Sequence, residues 1–432
     1  MKKSLLWITI LILSLSMLAV FSLSGCKTTA AAETTAAAAS EEKVTIVVTS
    51  WRTDDIDAMN KINAVFMEKY PNITVKFDPI KNTEYAAQLQ TALETQSDKY
   101  DVMGIFPFGM AQTYSDNGYA LALDDLVPNL SNIPENILVK YSAGGSVIAV
   151  PVAAVSHGVY YNKDIFAKYD LQVPKTWAEF MAVCKTLKDN GETVIAQGAA
   201  DGFAAGEHFY DNIGPNFFGG EASRQKLMAG EMKFTDEKFV NAFTAVESLI
   251  PYFVDGYQAV DYVGMQQLFK TGQAAIMFSG SWEISGFQAS EGLNFGWFAP
   301  PLENAGDKLQ YCFLSDLGFA MSKYTKNPDA AAKYLNWVSS PEFAQLFMEN
   351  IPGFFTYVTG DYTLDPVALQ MLNAAKDADL IERLMTEKLS DKAPSGTEIL
   401  NTAAQKLILG EVNPKEAAEY VQTNLETWFT FK

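Results

Sequence analysis

The chain has 432 residues, of which 48% are hydrophobic and 19% are charged, which is enough apolar material for two sizeable cores. Its formal net charge of −19 argues against nucleic acid as a partner, because phosphate binding requires a clustered basic face, and against adsorption to anionic lipid. Arginine occurs only at positions 52, 224 and 383, so we expect no arginine cluster for phosphate recognition.

The N-terminal segment has the pattern of an export signal. Two lysines precede an apolar run over residues 5–21, and small residues follow it. The segment ends in Leu-Ser-Gly-Cys26, which resembles the lipobox of bacterial lipoproteins, whose cysteine is lipidated. We therefore expect a signal peptide over residues 1–25 and a lipid anchor on Cys26. The alternative is an uncleaved signal anchor with an incidental cysteine.

The next stretch has the composition of a tether. Residues 27–43 contain no aromatic or large aliphatic side chain that could be buried. We expect residues 26–43 to be solvated, with a reach of roughly 20–25 Å that lets a globular body approach a partner in the membrane. These features predict a protein that is held by lipid at the outer, extracytoplasmic face of a cell membrane.

From residue 44 onwards, the apolar pattern alternates between the periods of strand and helix. The predicted strands are β-branched or alternate apolar with polar residues, and each predicted helix has an apolar face. In chain order, the elements are the strand Val44–Ser50, the helix with Met59, Ile62, Val65 and Phe66, the strand Ile73–Phe77, the helix with Leu89 and Leu93, and the strand Val102–Phe106. This order predicts an α/β fold built from βαβ units, with a mostly parallel sheet.

The same alternation continues towards the C-terminus. Thr176 and Glu179 have the spacing of a capping box, in which each side chain bonds the backbone N–H of the other residue, so a helix is expected to begin there. The other predicted elements are two separate short strands at Val147–Val152 and Val159–Tyr161, a buried strand at Ala274–Phe278 and a helix at Pro328–Ser339.

Five segments carry a recognisable order of motifs. They are Gly158–Phe166 (GVYYNKDIF), Val173–Phe180 (VPKTWAEF), Phe269–Trp282 (FKTGQAAIMFSGSW), Leu317–Ser322 (LGFAMS) and Asn327–Tyr334 (NPDAAAKY). Together they resemble the motifs of the family 1 extracellular solute-binding proteins, which are relatives of the maltose-binding protein. One motif alone is weak, whereas several in the family's order behind a lipobox are a strong signal. The resemblance extends over residues 44 to about 355.

The resemblance implies a two-lobed fold like that of the periplasmic binding proteins, with a hinge and a ligand cleft between the lobes. Matched onto this sequence, the first lobe comprises residues 44–152 and 313–352, and the second comprises residues 153–312 and 353–432. The implied function is capture of a small solute, most readily a mono- or oligosaccharide, by lobe closure, followed by delivery to the permease subunits of an ABC importer. An amino acid, a peptide or a polyamine is the alternative ligand.

We expect a monomer that is not an enzyme and that uses no cofactor and no metal. The sequence contains no GxSxG, P-loop or strand-associated GxGxxG motif, and its two histidines cannot form HExxH. A secreted glycoside hydrolase remains a less favoured alternative, because scattered carboxylates can form a catalytic pair in any fold.

Trp282 is the residue that we most expect to contact ligand. It follows a buried strand and the turn at residues 279–281, so its ring can project from the strand end into a cleft. The ring face suits the C–H face of a sugar, and the indole N–H can donate to a hydroxyl. The alternative is a tryptophan of the core.

Trp51 and Arg52 end the first strand, where loops point towards the crevice of an α/β sheet. Arg52 offers a rigid fork of donors for hydroxyls or a carboxylate. The alternative is an exposed ion pair with Asp54 or Asp55.

The family resemblance implies further ligand contacts at loop and hinge positions. His157 could equally be a core histidine, and Asp316 could equally cap the next element. In the segment around His208, Glu207 and Tyr210 are favoured as ligand contacts over His208 itself. The implied contacts are Phe106, His157, Glu207, Tyr210, Asp316 and Phe355.

Overall fold

The structure is a computed structural model that describes residues 42–432. The predicted signal peptide (1–25), the lipidation site at Cys26 and almost all of the predicted tether (26–43) lie outside these residues. Within the described part of the chain, no helix is both long and apolar enough to cross a membrane.

The strands and helices follow each other in the α/β order that the sequence predicts. The strands are β1 Val44–Thr49, β2 Ile73–Phe77, β3 Val102–Ile105, β4 Ser142–Ala143, β5 Ser146–Val147, β6 Ala149–Asn162, β7 Ile276–Gly280, β8 Phe295–Phe298, β9 Gln310–Met321, β10 Phe355–Thr356 and β11 Asp379–Ile381. The helices up to residue 249 are α1 Ile56–Lys69, α2 Asn82–Glu94, α3 Gly109–Asp116, α4 Glu135–Leu138, α5 Lys163–Lys168, α6 Trp177–Asp189, α7 Asp211–Ile213, α8 Pro215–Phe218, α9 Gly220–Met228 and α10 Glu237–Leu249. The later helices are α11 Tyr262–Lys270, α12 Ile284–Gln288, α13 Pro328–Val338, α14 Pro341–Asn350, α15 Pro366–Asp377, α16 Gly396–Ile408 and α17 Pro414–Leu425.

The N-terminal elements form the predicted parallel βαβ units. β1 pairs in parallel with β2 on one side and with β3 on the other. The α1 residues Met59, Ile62 and Phe66 are buried, as expected for the apolar face of a helix that covers a sheet. β2 alternates buried and exposed residues, which is the period of a half-buried strand.

The prediction of a mostly parallel sheet is wrong beyond these strands. β3 pairs antiparallel with β9, and β6 pairs antiparallel with β7, β8, β9 and β10, so the sheet is mixed. Strand direction depends on which distant segments pair. The local apolar pattern does not contain that information.

The two short strands predicted at 147–152 and 159–161 are instead parts of one 14-residue strand, β6. Its first part, to Ser156, pairs with β9, and its last part, from His157, pairs with β7 and β8. Gly158 lets the strand pass directly beside the ring of Trp297. Any side chain at this position would collide with that ring, because a Cβ would lie 1.8 Å from Nε1 of Trp297. The register slips between Pro151 and Ala154, next to a proline that has no N–H to donate.

β6 and β9 therefore connect two parts of the sheet. We name the first sheet region as β1, β2 and β3 with the adjoining part of β9, and the second sheet region as β7 and β8 with the last part of β6. β9 also pairs in parallel with β11 near its start, which brings the C-terminal segment alongside it.

The capping box predicted at residues 176–179 is confirmed. Thr176 and Glu179 form both bonds of the capping box at the start of α6. A π-helical turn over Ala204–Tyr210 precedes α7 and carries Glu207 and His208.

Candidate functional site

Most of the predicted ligand contacts converge where the two sheet regions meet. We call this cluster the junction site. It comprises Trp51, Arg52, Phe106, His157, Glu207, His208, Trp282, Asp316 and Arg383.

The carboxyl ends of β1 and β3 supply an aromatic pair. The rings of Trp51 and Phe106 stack with centroids 4.1 Å apart and an interplanar angle of 21°. Trp51 is buried, and the edge of its ring also meets Tyr85. Parallel strands that end at the same edge of a sheet bring these two rings together.

Arg52 is held in the junction site by a buried ion pair. Its Nε donates to Asp55 at 2.5 Å and its Nη2 donates to the same carboxylate at 3.1 Å. The Asp55 partner considered in the sequence analysis is therefore present, but the pair is buried rather than exposed. Burial disfavours the charged guanidinium and so lowers its pKa. The charge and the hydrogen bonds of the Asp55 carboxylate outweigh this effect, so the pKa of Arg52 is raised. The guanidinium also lies 5.0 Å from the ring centroid of Phe354.

Trp282 lies in a 3₁₀ turn directly after β7, and its ring folds over Gly280. A Cβ at Gly280 would lie 2.0 Å from Cζ3 of the indole, so only glycine permits this ring position. The indole N–H donates to the Tyr262 hydroxyl at 2.7 Å, and that hydroxyl donates to the buried carboxylate of Glu283. The expectation that this N–H is free for a ligand hydroxyl is therefore wrong. The ring face is the part of Trp282 that a ligand could use.

Two histidines lie beside Trp282. The ring centroid of His157 is 5.5 Å from that of Trp282, and the ring centroid of His208 is 4.9 Å from it. Burial, followed by the positive charge of Arg383, lowers the pKa of both rings, and that of His208 falls to about 3. Both are therefore neutral at pH 7. Both ring nitrogens of His157 and Nδ1 of His208 have no hydrogen-bond partner among the described residues, which is uncommon for buried polar atoms.

Two carboxylates and an arginine complete the cluster. Arg383 Nη1 lies 3.3 Å from a Glu207 carboxylate oxygen, and its Nη2 lies 3.7 Å from one of Asp316. The Arg383 guanidinium also lies 5.8 Å from the ring centroid of Phe106. Burial raises the pKa of Asp316 to about 6, against the opposing effect of Arg383 and Arg52. Two of the three arginines thus act on the same carboxyl group, whereas the expectation that the chain has no arginine cluster for phosphate recognition stays a prediction.

Two predicted contacts do not join the junction site. Tyr210 is fully buried and packs against Phe218 and Phe243 in the core. Phe355 lies on β10 and packs against Phe313, whereas its neighbour Phe354 faces Arg52. Adjacent residues of an extended chain point to opposite faces, so Phe354 and Phe355 lie on different sides of this segment.

Sequence reasoning missed Arg383 and Asp211. Asp211 is buried, and burial followed by the charge of Glu207 raises its pKa to about 8. Its position four residues after Glu207 was a usable signal, because that spacing places side chains on one helical face. Arg383 follows the three-residue strand β11 and belongs to no motif, so no sequence signal identified it.

The arrangement suits a polar ligand that also has an apolar face. Ring faces from Phe106 and Trp282 can pack against C–H groups, while carboxylates and neutral imidazoles can exchange hydrogen bonds with hydroxyls. Among residues 42–432, no group of three histidine, cysteine or acidic side chains is placed to hold a metal ion.

Comparison with known proteins places this architecture among solute-binding proteins. A family model described as bacterial extracellular solute-binding protein matches residues 50–345. An uncharacterized ABC transporter extracellular-binding protein of Pyrococcus horikoshii is 25% identical over 55% of this chain, and the alignment spans 56% of that relative. A multiple sugar-binding protein of Streptococcus mutans is 24% identical over 71% of this chain and 74% of its own length. The solved structure of the solute-binding protein RafE in complex with raffinose is similar in fold, with a TM-score of 0.75 and 21% identity over 89% of this chain and 99% of that one.

Proposed function

Because the chain belongs to the bacterial extracellular solute-binding proteins, we propose that it is the substrate-binding component of an ABC importer and that it binds a mono- or oligosaccharide. The observation that carries the proposal is the meeting of two aromatic side chains, Phe106 and Trp282, with buried polar groups that lack hydrogen-bond partners among the described residues. Relatives named as multiple sugar-binding and maltodextrin-binding proteins support the saccharide class.

The proposed ligand position lies between two lobes that are joined by β6 and β9. The first lobe comprises residues 44–152 and 313–352, and the second comprises residues 153–312 and 353–432. A solute that contacts both lobes favours the closed form, because only that form offers all of its contacts at once. The permease can then distinguish the loaded protein from the empty one.

The saccharide contacts follow from the chemistry of the junction site. The faces of Phe106 and Trp282 pack against the C–H face of a sugar ring, and Glu207 and Asp316 accept hydrogen bonds from hydroxyls. His157 can both donate and accept, since its neutral ring carries one N–H and one free nitrogen. Trp51 and Arg52 support this surface from behind.

The proposal includes the location of the protein. A lipid on Cys26 attaches it to the outer face of the cell membrane, and residues 27–43 leave the globular part free to reach the permease as a monomer. The lipobox-like sequence and the polar tether support this arrangement. Loss of radiolabelled palmitate incorporation in Cys26→Ala, together with release of the protein into the medium, is the expected result.

Thermal denaturation with a panel of small molecules tests the function. Raffinose, maltotriose, xylotriose, galactose and mannitol are compared with amino acids, a tripeptide and spermidine. A solute present at 100 times its Kd adds about 2.7 kcal/mol to the free energy of unfolding. Stabilisation by a saccharide supports the proposal, whereas stabilisation by an amino acid, peptide or polyamine alone would assign a different substrate class. Cleavage of a glycoside would favour the hydrolase instead.

A further inference from the structure

The C-terminal segment next to β9 lies outside the residues that the family model matches, yet it reaches the junction site. β11 runs parallel to the start of β9, with Ile381 opposite Cys312. The next two residues, Glu382 and Arg383, continue beside Ser315 and Asp316.

Glu382 and Arg383 contact β9 from its two faces. The Glu382 carboxylate accepts hydrogen bonds from the backbone N–H of Ser315 at 3.1 Å and from its hydroxyl at 3.3 Å, and it pairs with Lys140. Arg383 points the other way, towards Asp316. Because successive residues of an extended chain point to opposite sides, anchoring Glu382 fixes the direction of Arg383.

Arg383 differs from a purely structural buried arginine of the same chain. Arg224 makes ion pairs of 2.8 Å and 2.7 Å with Glu221 and Glu387. The two ion pairs of Arg383 are 3.3 Å and 3.7 Å long, and its Nε has no hydrogen-bond partner among the described residues. Charge-assisted bonds to carboxylates are normally about 2.7–2.9 Å. The donors of Arg383 are thus not saturated, although its side chain is only 15% exposed.

We propose that Arg383 is a positioning residue for solute recognition, which holds the Glu207 and Asp316 carboxylates in the orientation that accepts solute hydroxyls. This inference rests on the proposed function, because it assigns a role within the same site. The Arg383 guanidinium also lies near Phe106, so it adjoins the residue after β3, the turn that carries Glu207, and Asp316 on β9. A residue outside the matched family region thereby contributes to the affinity of the site.

The charge of Arg383 matters for Asp316 in particular. Arg383 and Arg52 lower the pKa of Asp316, whereas burial and Glu207 raise it. The charge of Asp316 in turn contributes to the raised pKa of two buried tyrosines, Tyr141 and Tyr357. Without Arg383, the pKa of Asp316 should rise above its wild-type value of about 6, so more of the carboxyl group is protonated. The protonated carboxyl group accepts hydrogen bonds less well than the carboxylate does. Solute binding should then weaken as the pH falls towards 6.

The experiment compares Arg383→Gln and Arg383→Lys with the control Arg224→Gln in the protein of residues 42–432 and in the full chain. The first readout uses no solute: the carboxyl ¹³C resonance of Asp316, assigned with Asp316→Asn, is titrated by NMR. We expect its midpoint to rise in Arg383→Gln, to rise less in Arg383→Lys and to stay unchanged in Arg224→Gln. The second readout is calorimetric titration with raffinose and with maltotriose at pH 6 and pH 8. We expect about 10- to 100-fold weaker binding in Arg383→Gln, with the larger loss at pH 6.

The outcomes separate this inference from the proposed function. An Asp316 midpoint that is the same in Arg383→Gln and wild type overturns the inference, as does an equal loss of affinity in Arg383→Gln and Arg224→Gln. If neither saccharide binds the wild-type protein, raffinose and maltotriose are excluded as its solutes, and the Asp316 titration still tests whether Arg383 acts on that carboxyl group. If Arg383→Gln does not fold, Arg383→Lys provides both readouts.

Discussion

Nη2 of Arg52 donates a hydrogen bond to the backbone carbonyl oxygen of Trp282 at 3.3 Å, although the two residues are 230 positions apart in sequence. Arg52 follows β1 and Trp282 follows β7, so the bond joins the carboxyl ends of strands in different sheet regions. It is a polar connection that relative movement of the two regions would break.

Replacing Arg52 with lysine should therefore weaken both closure and binding. Lysine keeps the charge but lacks the planar guanidinium group, which hydrogen-bonds the Asp55 carboxylate and the Trp282 carbonyl at the same time. We expect about tenfold weaker saccharide binding and a larger radius of gyration of the solute-free protein by small-angle X-ray scattering. The control Lys69→Ala removes the exposed pair with Glu342 and should change neither quantity. An unchanged radius in Arg52→Lys would remove this bond from the closing contacts.

Trp282→Ala should abolish most saccharide binding without unfolding the protein. The ring supplies a face of the junction site, and buried aromatic anchors commonly carry a large share of binding energy. We expect affinity to fall about 30-fold or more by calorimetry, with the far-ultraviolet circular dichroism spectrum retained. Trp428→Ala is the matched control, because the Trp428 indole N–H donates to the carbonyl of Pro394, away from the junction site. Equal affinities of wild type and Trp282→Ala would exclude the ring as a contact.

Gly280→Ala should weaken binding although Gly280 contacts no solute. The added methyl group would occupy the place of the Trp282 ring, so the indole must move. We expect a cost of about 1–3 kcal/mol in the free energy of unfolding and about tenfold weaker binding. Gly286→Ala is the control, since its Cβ would meet only the flexible end of Lys270. Wild-type affinity in Gly280→Ala would show that ring position is not important.

Asp211 should make the protein less stable as the pH rises. Its pKa is raised to about 8 in the folded state, so between pH 4 and pH 8 the folded protein binds a proton that the unfolded chain has lost. Stability contributed by this group is therefore present at low pH and is lost as the pH rises towards 8. Asparagine does not titrate, so Asp211→Asn should not lose stability in this way. We expect the free energy of unfolding of the variant, measured by urea denaturation, to rise relative to that of wild type from pH 5 to pH 7 and from pH 7 to pH 9. A difference that does not change with pH would contradict this pKa.

The first three strands and their helices were predictable because their signals are local. The spacing of Met59, Ile62 and Phe66 identifies a helix without reference to the rest of the chain. The capping box of Thr176 and Glu179 is equally local. The continuity of β6 through Gly158 was not predictable, since it depends on the distant ring of Trp297.

The candidate site could be predicted in part. Trp51 follows from the rule that ligand-binding loops lie at the carboxyl ends of parallel strands, whereas Phe106 came from the family resemblance. The bond from the Trp282 indole N–H to Tyr262 could not be foreseen, because those residues meet only in the folded chain. Arg383 has no local pattern at all, and only the pairing of β11 with β9 brings it to Asp316.

The unbroken course of β6 has a consequence for how the molecule deforms. Along β6, the two sheet regions are joined by a continuous hydrogen-bonded strand and not by a flexible loop. Rotation of one region relative to the other must therefore twist this strand. The register slip between Pro151 and Ala154 is the weakest place for such twist. Amide deuterium uptake should accordingly be faster at Ala153 than at Val150 or Val159 on the same strand.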